Sequence, residues 1–184
     1  MVGLIDEITK ALDEDKYAVS IFLDLIKAFD TVNHSILLSK LDLYGIRGNG
    51  NQWFRSYLSN RKQKGFVNSV ESNFLLVNSG VPQESILVPF LFLIYTNDFE
   101  KATSYFSPRL FADNTSLTAT GKDLDVLLQR INSELPAIHE WLCSNRLTLN
   151  LSKTKYLVFQ PRQKINSYLY PTPKISRSVP RTVL

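Results

Sequence analysis

With one cysteine, Cys143, and only two histidines, the 184-residue chain can close no internal disulfide and can assemble no zinc centre from cysteine and histidine ligands. An intracellular, reducing setting, nucleus or cytoplasm, is expected. A long apolar run is also missing. The most apolar stretch, Ile86 to Tyr95, contains Pro89 and is shorter than a bilayer span needs, and no basic region followed by an apolar block opens the chain. Neither a membrane partner nor a targeting segment is expected. Nor is there a general excess of either charge. The chain carries +4, but Arg162, Lys164, Lys174, Arg177 and Arg181 all fall in residues 161–184 without an acid among them, which leaves −1 over residues 1–160. Global charge therefore gives no argument for nucleic-acid binding.

What is present is 44% hydrophobic, enough for one substantial core, and a single globular unit over residues 1–160 is the expectation. Residues 161–184 contain four prolines, no glycine and no apolar period, so they read as a solvated basic tail. Within the core region, Leu4, Ile5, Ile8, Ala11 and Leu12 follow helical spacing, and Tyr17 to Leu23 reads as a strand with Asp24 at its far end. Asn33 is placed to cap a helix through Ile36–Leu43 that stops at Gly45, and Gln52 to Leu58 gives a second short helix. Arg61 to Ser69 and Asn73 to Asn78 read as two strands joined by a turn at Val70-Glu71-Ser72, followed by a loop from Ser79 to Gln83. Ser85 to Phe99 is apolar on most faces, predicting a buried helix with Pro89 in its first turn. A hairpin is expected around Phe111-Ala112-Asp113-Asn114, then a long helix from Asp123 to Asn145, kinked at Pro136, and a last strand at Tyr156–Phe159. Mixed strands and helices, with acidic residues at strand ends and helices packed behind, make an α+β layer fold.

Two acidic positions follow apolar, β-prone runs: Asp24 after Ile21-Phe22-Leu23, and Asp113 after Leu110-Phe111-Ala112. Carboxylates brought from two neighbouring strands could share a pair of divalent cations, the arrangement that neutralises the attacking oxygen and the leaving pyrophosphate in nucleotidyl transfer. An ordinary strand-end aspartate has the same local pattern, so neither residue alone decides the matter.

Four segments taken in order do more. Asp24-Leu25-Ile26-Lys27-Ala28-Phe29-Asp30-Thr31-Val32-Asn33-His34, Gly80-Val81-Pro82-Gln83-Glu84-Ser85-Ile86-Leu87-Val88-Pro89, Phe111-Ala112-Asp113-Asn114 and Asn145 to Lys155 resemble successive motifs of reverse transcriptases. The nearest likeness is to the non-LTR retrotransposon (LINE, jockey-like) group, and it covers roughly residues 1–160. The resemblance implies a polymerase palm-like antiparallel sheet packed on helices, with partial fingers and no complete thumb. It makes Asp24 and Asp113 metal ligands for two Mg2+ or Mn2+ ions, and an RNA template, a DNA primer and a dNTP the partners. Phe29 would lie under the incoming sugar, with core packing as its alternative role. Pro82 and Gln83 would belong to a loop along template and nucleotide. Lys153 would stand near the triphosphate, where a surface lysine after a helix is the plainer reading.

The sequence departs from that pattern at three places. The group's hairpin carries two adjacent aspartates, and here the second is Asn114, a degenerate catalytic position that keeps an oxygen but loses a charge. Glu84 and Val88 stand where the group has glycine; a glycine in a loop that nucleic acid approaches leaves room for close backbone contact, and a glutamate there adds bulk and repels phosphate. Weak or absent catalysis by a truncated, degenerate copy is expected. The alternatives are a non-catalytic nucleic-acid-binding or protein-interaction module, and a pseudogene product without activity.

Overall fold

The computed structural model of the chain describes residues 2–68, 70–82, 85–111 and 114–161. In chain order the elements are α1 Val2–Asp13, β1 Tyr17–Asp24, α2 His34–Leu43, α3 Asn49–Leu58, β2 Lys62–Gln63, β3 Phe66–Val67, β4 Val70–Glu71, β5 Leu75–Leu76, α4 Leu87–Thr96, a 3-10 turn Asn97–Ala102, β6 Ser107–Phe111, β7 Asn114–Gly121, α5 Leu124–Ser144 and β8 Lys155–Phe159. They form two compact units: one from residues 1–26 with 99–184, the other from residues 27–98. The second is thus inserted in the first, an organisation that the single unit expected over residues 1–160 does not anticipate. The basic tail expected at 161–184 lies, after Pro161, outside the described residues.

The first unit is built on a four-stranded antiparallel sheet in the order β6-β7-β1-β8. β1 sits between two partners, and Ala18, Val19, Ser20, Ile21 and Leu23 are all buried, as a central strand covered on both faces requires. One face is covered by α5. Asp123 caps that helix by accepting from the Val126 N–H at 2.9 Å, and Leu127, Leu128, Ile131, Leu135, Ile138 and Leu142 form its buried stripe. The close approach of helix and sheet is visible at Gly121, where a Cβ would lie 3.3 Å from Leu127 Cβ. The helix runs on through Pro136. On β6, the Arg109 guanidinium donates to Glu7 Oε2 at 2.6 Å and to the Gly3 carbonyl at 2.7 Å, tying α1 to the sheet.

In the second unit α2 is capped by Asn33, whose Oδ1 accepts from the Ile36 N–H at 3.1 Å, and Gly45 takes φ +91 just beyond its end. Lys40 is buried, and its ammonium donates to the Tyr95 carbonyl at 2.5 Å and to Asp98 Oδ1 at 2.6 Å. Burial pushes the Lys40 pKa down, and the Asp98 carboxylate partly restores it.

Three expectations need correction in this unit. Val70-Glu71 is not a turn but strand β4, paired with β3, and β2 pairs with β5. The chain reverses at Asn68, whose φ of +48 an asparagine tolerates, so the turn is shorter and earlier than the polar residues suggest. Helix α4 is not buried all round: Phe90 and Leu93 are exposed, as is Ile86 just before it, while Val88, Leu91, Phe92 and Tyr95 are buried. Uniform apolarity cannot tell which face a helix covers. Val88 also lies inside the first turn of this helix, packed in the core, rather than in an exposed loop where glycine's size would matter to a ligand.

Candidate active site

β-Branched and aromatic residues carry β1 up to its last position, Asp24, which is half-buried. The ladder with β7 runs from Tyr17↔Gly121 to Asp24↔Asn114, so the carboxylate faces the amide directly across the two strands. Opposed residues of an antiparallel pair project to the same face, with Cβ atoms about 5 Å apart. Further along that face the Ser20 and Thr118 hydroxyls meet at 3.1 Å, a buried pair that fixes the register.

The backbone of Asp24 is held from the other side of the strand. Its carbonyl accepts from the Asn150 N–H at 2.7 Å, and its N–H donates to Thr154 Oγ1 at 3.4 Å. Thr154 in turn donates to the Asn150 carbonyl at 2.8 Å, and the Lys153 N–H reaches the same carbonyl at 3.2 Å. Residues 150–154 therefore hang on Asp24 as a tight turn carrying the exposed Lys153. Asp24, Asn114 and the Lys153 turn gather at one end of one sheet. Asp113 lies outside the described residues, as do Gln83 and Glu84.

Phe29 and Pro82 belong to the inserted unit. The Phe29 ring is half-buried with its centroid 5.0 Å from that of Phe92, so it does pack in a core. Residues 79–82 are strapped to the turn that follows Phe29. The Gly80 N–H donates to the Val32 carbonyl at 2.8 Å, the Val81 N–H to the Phe29 carbonyl at 3.0 Å, and His34 Nε2 lies 2.8 Å from the Gly80 carbonyl. Gly80 needs to be glycine: its φ is +82, and a Cβ would come within 2.8 Å of the Asp30 backbone. Pro82 lines a cavity of about 620 Å³ with Lys27, Asp30, Arg61 and Gln63. Lys27 takes φ +48, a strained conformation for lysine, and Arg61 donates to the Gly80 carbonyl at 3.3 Å. The sequence reading missed both cations. Arg61 had a signal, since it stands in a stretch from Arg47 to Lys64 that has basic residues and no acids.

The donors can be weighed against a pair of divalent cations. Such ions want several oxygens, carboxylates among them. At the Asp24 end of the sheet the described side chains supply one carboxylate and one neutral amide, and no group of three or more acidic, histidine or cysteine side chains comes together among the described residues. That set is too poor to hold two dications without Asp113. No helix among the described residues is long and apolar enough to cross a membrane.

Comparison with known proteins gives a consistent picture. A family model described as reverse transcriptase (RNA-dependent DNA polymerase) matches residues 2–174. The chain is 27% identical over 164 residues to the probable RNA-directed DNA polymerase from transposon BS of Drosophila melanogaster, covering 82% of this chain and 17% of that protein. To the RNA-directed DNA polymerase from mobile element jockey it is 26% identical in Drosophila melanogaster, over 83% of this chain and 17% of the relative. In Drosophila funebris the figure is 29%, over 82% and 17%. The chain thus spans about a sixth of the length of these relatives.

Proposed function

Because the chain belongs to the reverse transcriptase family and is similar to the polymerases of non-LTR retrotransposons, we propose that it is the metal-binding, palm-like region of an RNA-directed DNA polymerase whose catalysis is impaired. The observation that carries this reading is the register of Asp24 with Asn114, which brings the hairpin's second position onto the carboxylate of the first strand. The antiparallel sheet with α5 against one face is read as the palm, and the inserted unit as part of the fingers.

In this reading Asp24 and Asp113 are the metal ligands, for Mg2+ or Mn2+, with Asn114 offering a neutral oxygen. When bound, the cations supply charge neutralisation on the attacking 3′-oxygen and the leaving pyrophosphate. The chain's own residues position the reactants. The turn at residues 150–154 holds the backbone of Asp24, and the exposed Lys153 on it is read as a cation and proton donor for the triphosphate. Lys27 and Arg61, which line the cavity with Pro82, are read as cations for phosphate oxygens of template or nucleotide, and Gln83 is assigned to template and nucleotide by the family resemblance. Phe29, packed against Phe92, is assigned to the incoming sugar by the family resemblance. A site short of one carboxylate binds dications weakly, so turnover falls with it. A reducing intracellular compartment suits the single, exposed Cys143.

Primer extension on an RNA template with Mg2+ or Mn2+ tests the reading. Incorporation far below that of a complete relative, and increased by Asn114→Asp, is the expected result. Incorporation equal to a complete relative's contradicts the impairment, and a revertant that gains neither metal uptake nor activity removes Asn114 from the site.

A further inference from the structure

Charge is distributed far from evenly along this chain. Between Asp42 and Glu71 there are five basic residues, Arg47, Arg55, Arg61, Lys62 and Lys64, and no acid, whereas the chain outside this stretch and the tail sums to −6. Arg47 stands 3.9 Å from Asp42, and Lys64 pairs with Glu71 at 2.7 Å. Lys62 is exposed and makes no ion pair among the described residues.

Aromatic rings are set into the same stretch. On α3, Trp53 and Tyr57 are one helical turn apart and stack at 5.4 Å with 8° between their planes, while Phe54 meets Trp53 edge-on at 5.0 Å. One face of the indole is thus covered by Tyr57, yet Trp53 is still 53% exposed, so a large aromatic surface faces solvent. An exposed tryptophan held flat by a second ring is pre-organised to receive another flat ring. The helix continues for about 8 Å beyond Trp53 at 1.5 Å per residue. Asn60, at φ +57, then turns the chain into Arg61 and Lys62. Arg55 leaves the other side of α3, two residues and about 200° of helix from Trp53, where it lines a cavity with Ser35, Ser39 and Asp42.

We infer that the stretch from Trp53 to Lys62 is a binding site for single-stranded nucleic acid, in which a base stacks on Trp53 and the adjoining phosphates lie against Arg61 and Lys62. Stacking on an aromatic platform combined with a cationic track is how strands are held without sequence preference. The inference rests on the polymerase reading only for the class of ligand. It requires neither a metal nor a nucleotide.

The test uses the full chain and a fluorescein-labelled oligo(U), followed by anisotropy in the presence of EDTA and without dNTP, so that failure of the metal site does not affect the outcome. Stacking quenches the Trp53 emission of the unmodified chain. Trp53→Ala weakens binding roughly ten-fold or more, in line with the stacking contribution per base. Trp53→Phe keeps most of the affinity but abolishes quenching, because the remaining emission comes from Trp141, which is paired edge-on with Phe99. Lys62→Gln lowers the dependence of log K on log salt by about 0.7, the value for one lost phosphate contact on a single strand, and Arg55→Gln leaves it unchanged. The proposal is overturned if oligo(U) does not bind, if Trp53→Ala binds as well as the unmodified chain, or if Arg55→Gln and Lys62→Gln reduce the slope equally, which indicates diffuse attraction without a track.

Discussion

Asp24 and Asn114 are direct cross-strand partners at the end of the β1–β7 ladder. Their pairing has two consequences that can be measured separately. An amide opposite a carboxylate is compatible with a hydrogen bond and involves no repulsion, so the metal-free fold is more comfortable with Asn114 than with a second carboxylate. Asn114→Asp is expected to lower metal-free stability by about 0.5–1 kcal/mol and to tighten Mn2+ binding. Denaturation with and without Mn2+ checks both. A revertant that loses stability and takes up no more metal than the unmodified chain rules out a shared cation pocket.

Lys40 offers a pH-dependent signature. Its folded pKa is depressed chiefly by burial, with Asp98 acting in opposition. Between that lowered value and 10.5, the unfolded chain holds a proton that the folded chain has released, so stability rises with pH across this window. Below the folded pKa the desolvation cost of the ammonium is present in full. The difference in unfolding free energy between the unmodified chain and Lys40→Met should therefore grow in favour of the unmodified chain as alkaline pH is approached. A pH-independent difference shows that Lys40 does not titrate there. Asp98→Ala, by leaving a buried cation without its carboxylate, should be more damaging than Lys40→Met.

Gly80 is held against Asp30 with no room for a Cβ and with φ +82. Gly80→Ala combines left-handed strain with a backbone clash and should cost about 2–4 kcal/mol. Chemical denaturation measures this. A cost under 0.5 kcal/mol means that the straps from Val32 and Phe29 are loose enough to shift.

The Tyr57 hydroxyl is buried and finds no partner among the described residues. Its ring, stacked under Trp53, is what the position uses. Tyr57→Phe should leave oligo(U) binding intact and raise stability by about 1 kcal/mol through removal of an unsatisfied polar group. Destabilisation of that size instead shows that the hydroxyl is bonded in solution.

How much of this was legible in the sequence depends on the range of the interaction. The stripe from Leu127 to Leu142 and the cap Asn33 are local signals, and helices α2 and α5 lie where they indicate. The strands β1, β6, β7 and β8 also lie where β-prone runs put them. The turn at Asn68 was obscured because polar residues at Glu71 and Ser72 look more turn-like than the one asparagine that takes a positive φ. The exposed side of α4 was invisible, since Phe90 and Leu93 are as apolar as their buried neighbours. At the site, the sequence names Asp24, but no local pattern reveals that Asn150 and Thr154 hold its backbone. The cations at Lys27 and Arg61 were hidden by counting charge over the whole chain, where the acids of other segments cancel them.

The interleaving of the two units also bears on the order in which the chain acquires its structure. The Ser20–Thr118 contact joins positions 98 residues apart, and closing a loop of that length costs about 4 kcal/mol in chain entropy before any ladder bond forms. The insert's helices and two-residue ladders connect near neighbours in sequence and escape most of that cost. Pulse-labelled amide exchange during refolding should therefore protect α2 and α3 earlier than the central strand, leaving the acidic end of the sheet among the last parts to assemble. Protection of Val19 and Ile21 ahead of Leu37 and Leu41 would show that the sheet nucleates the molecule instead.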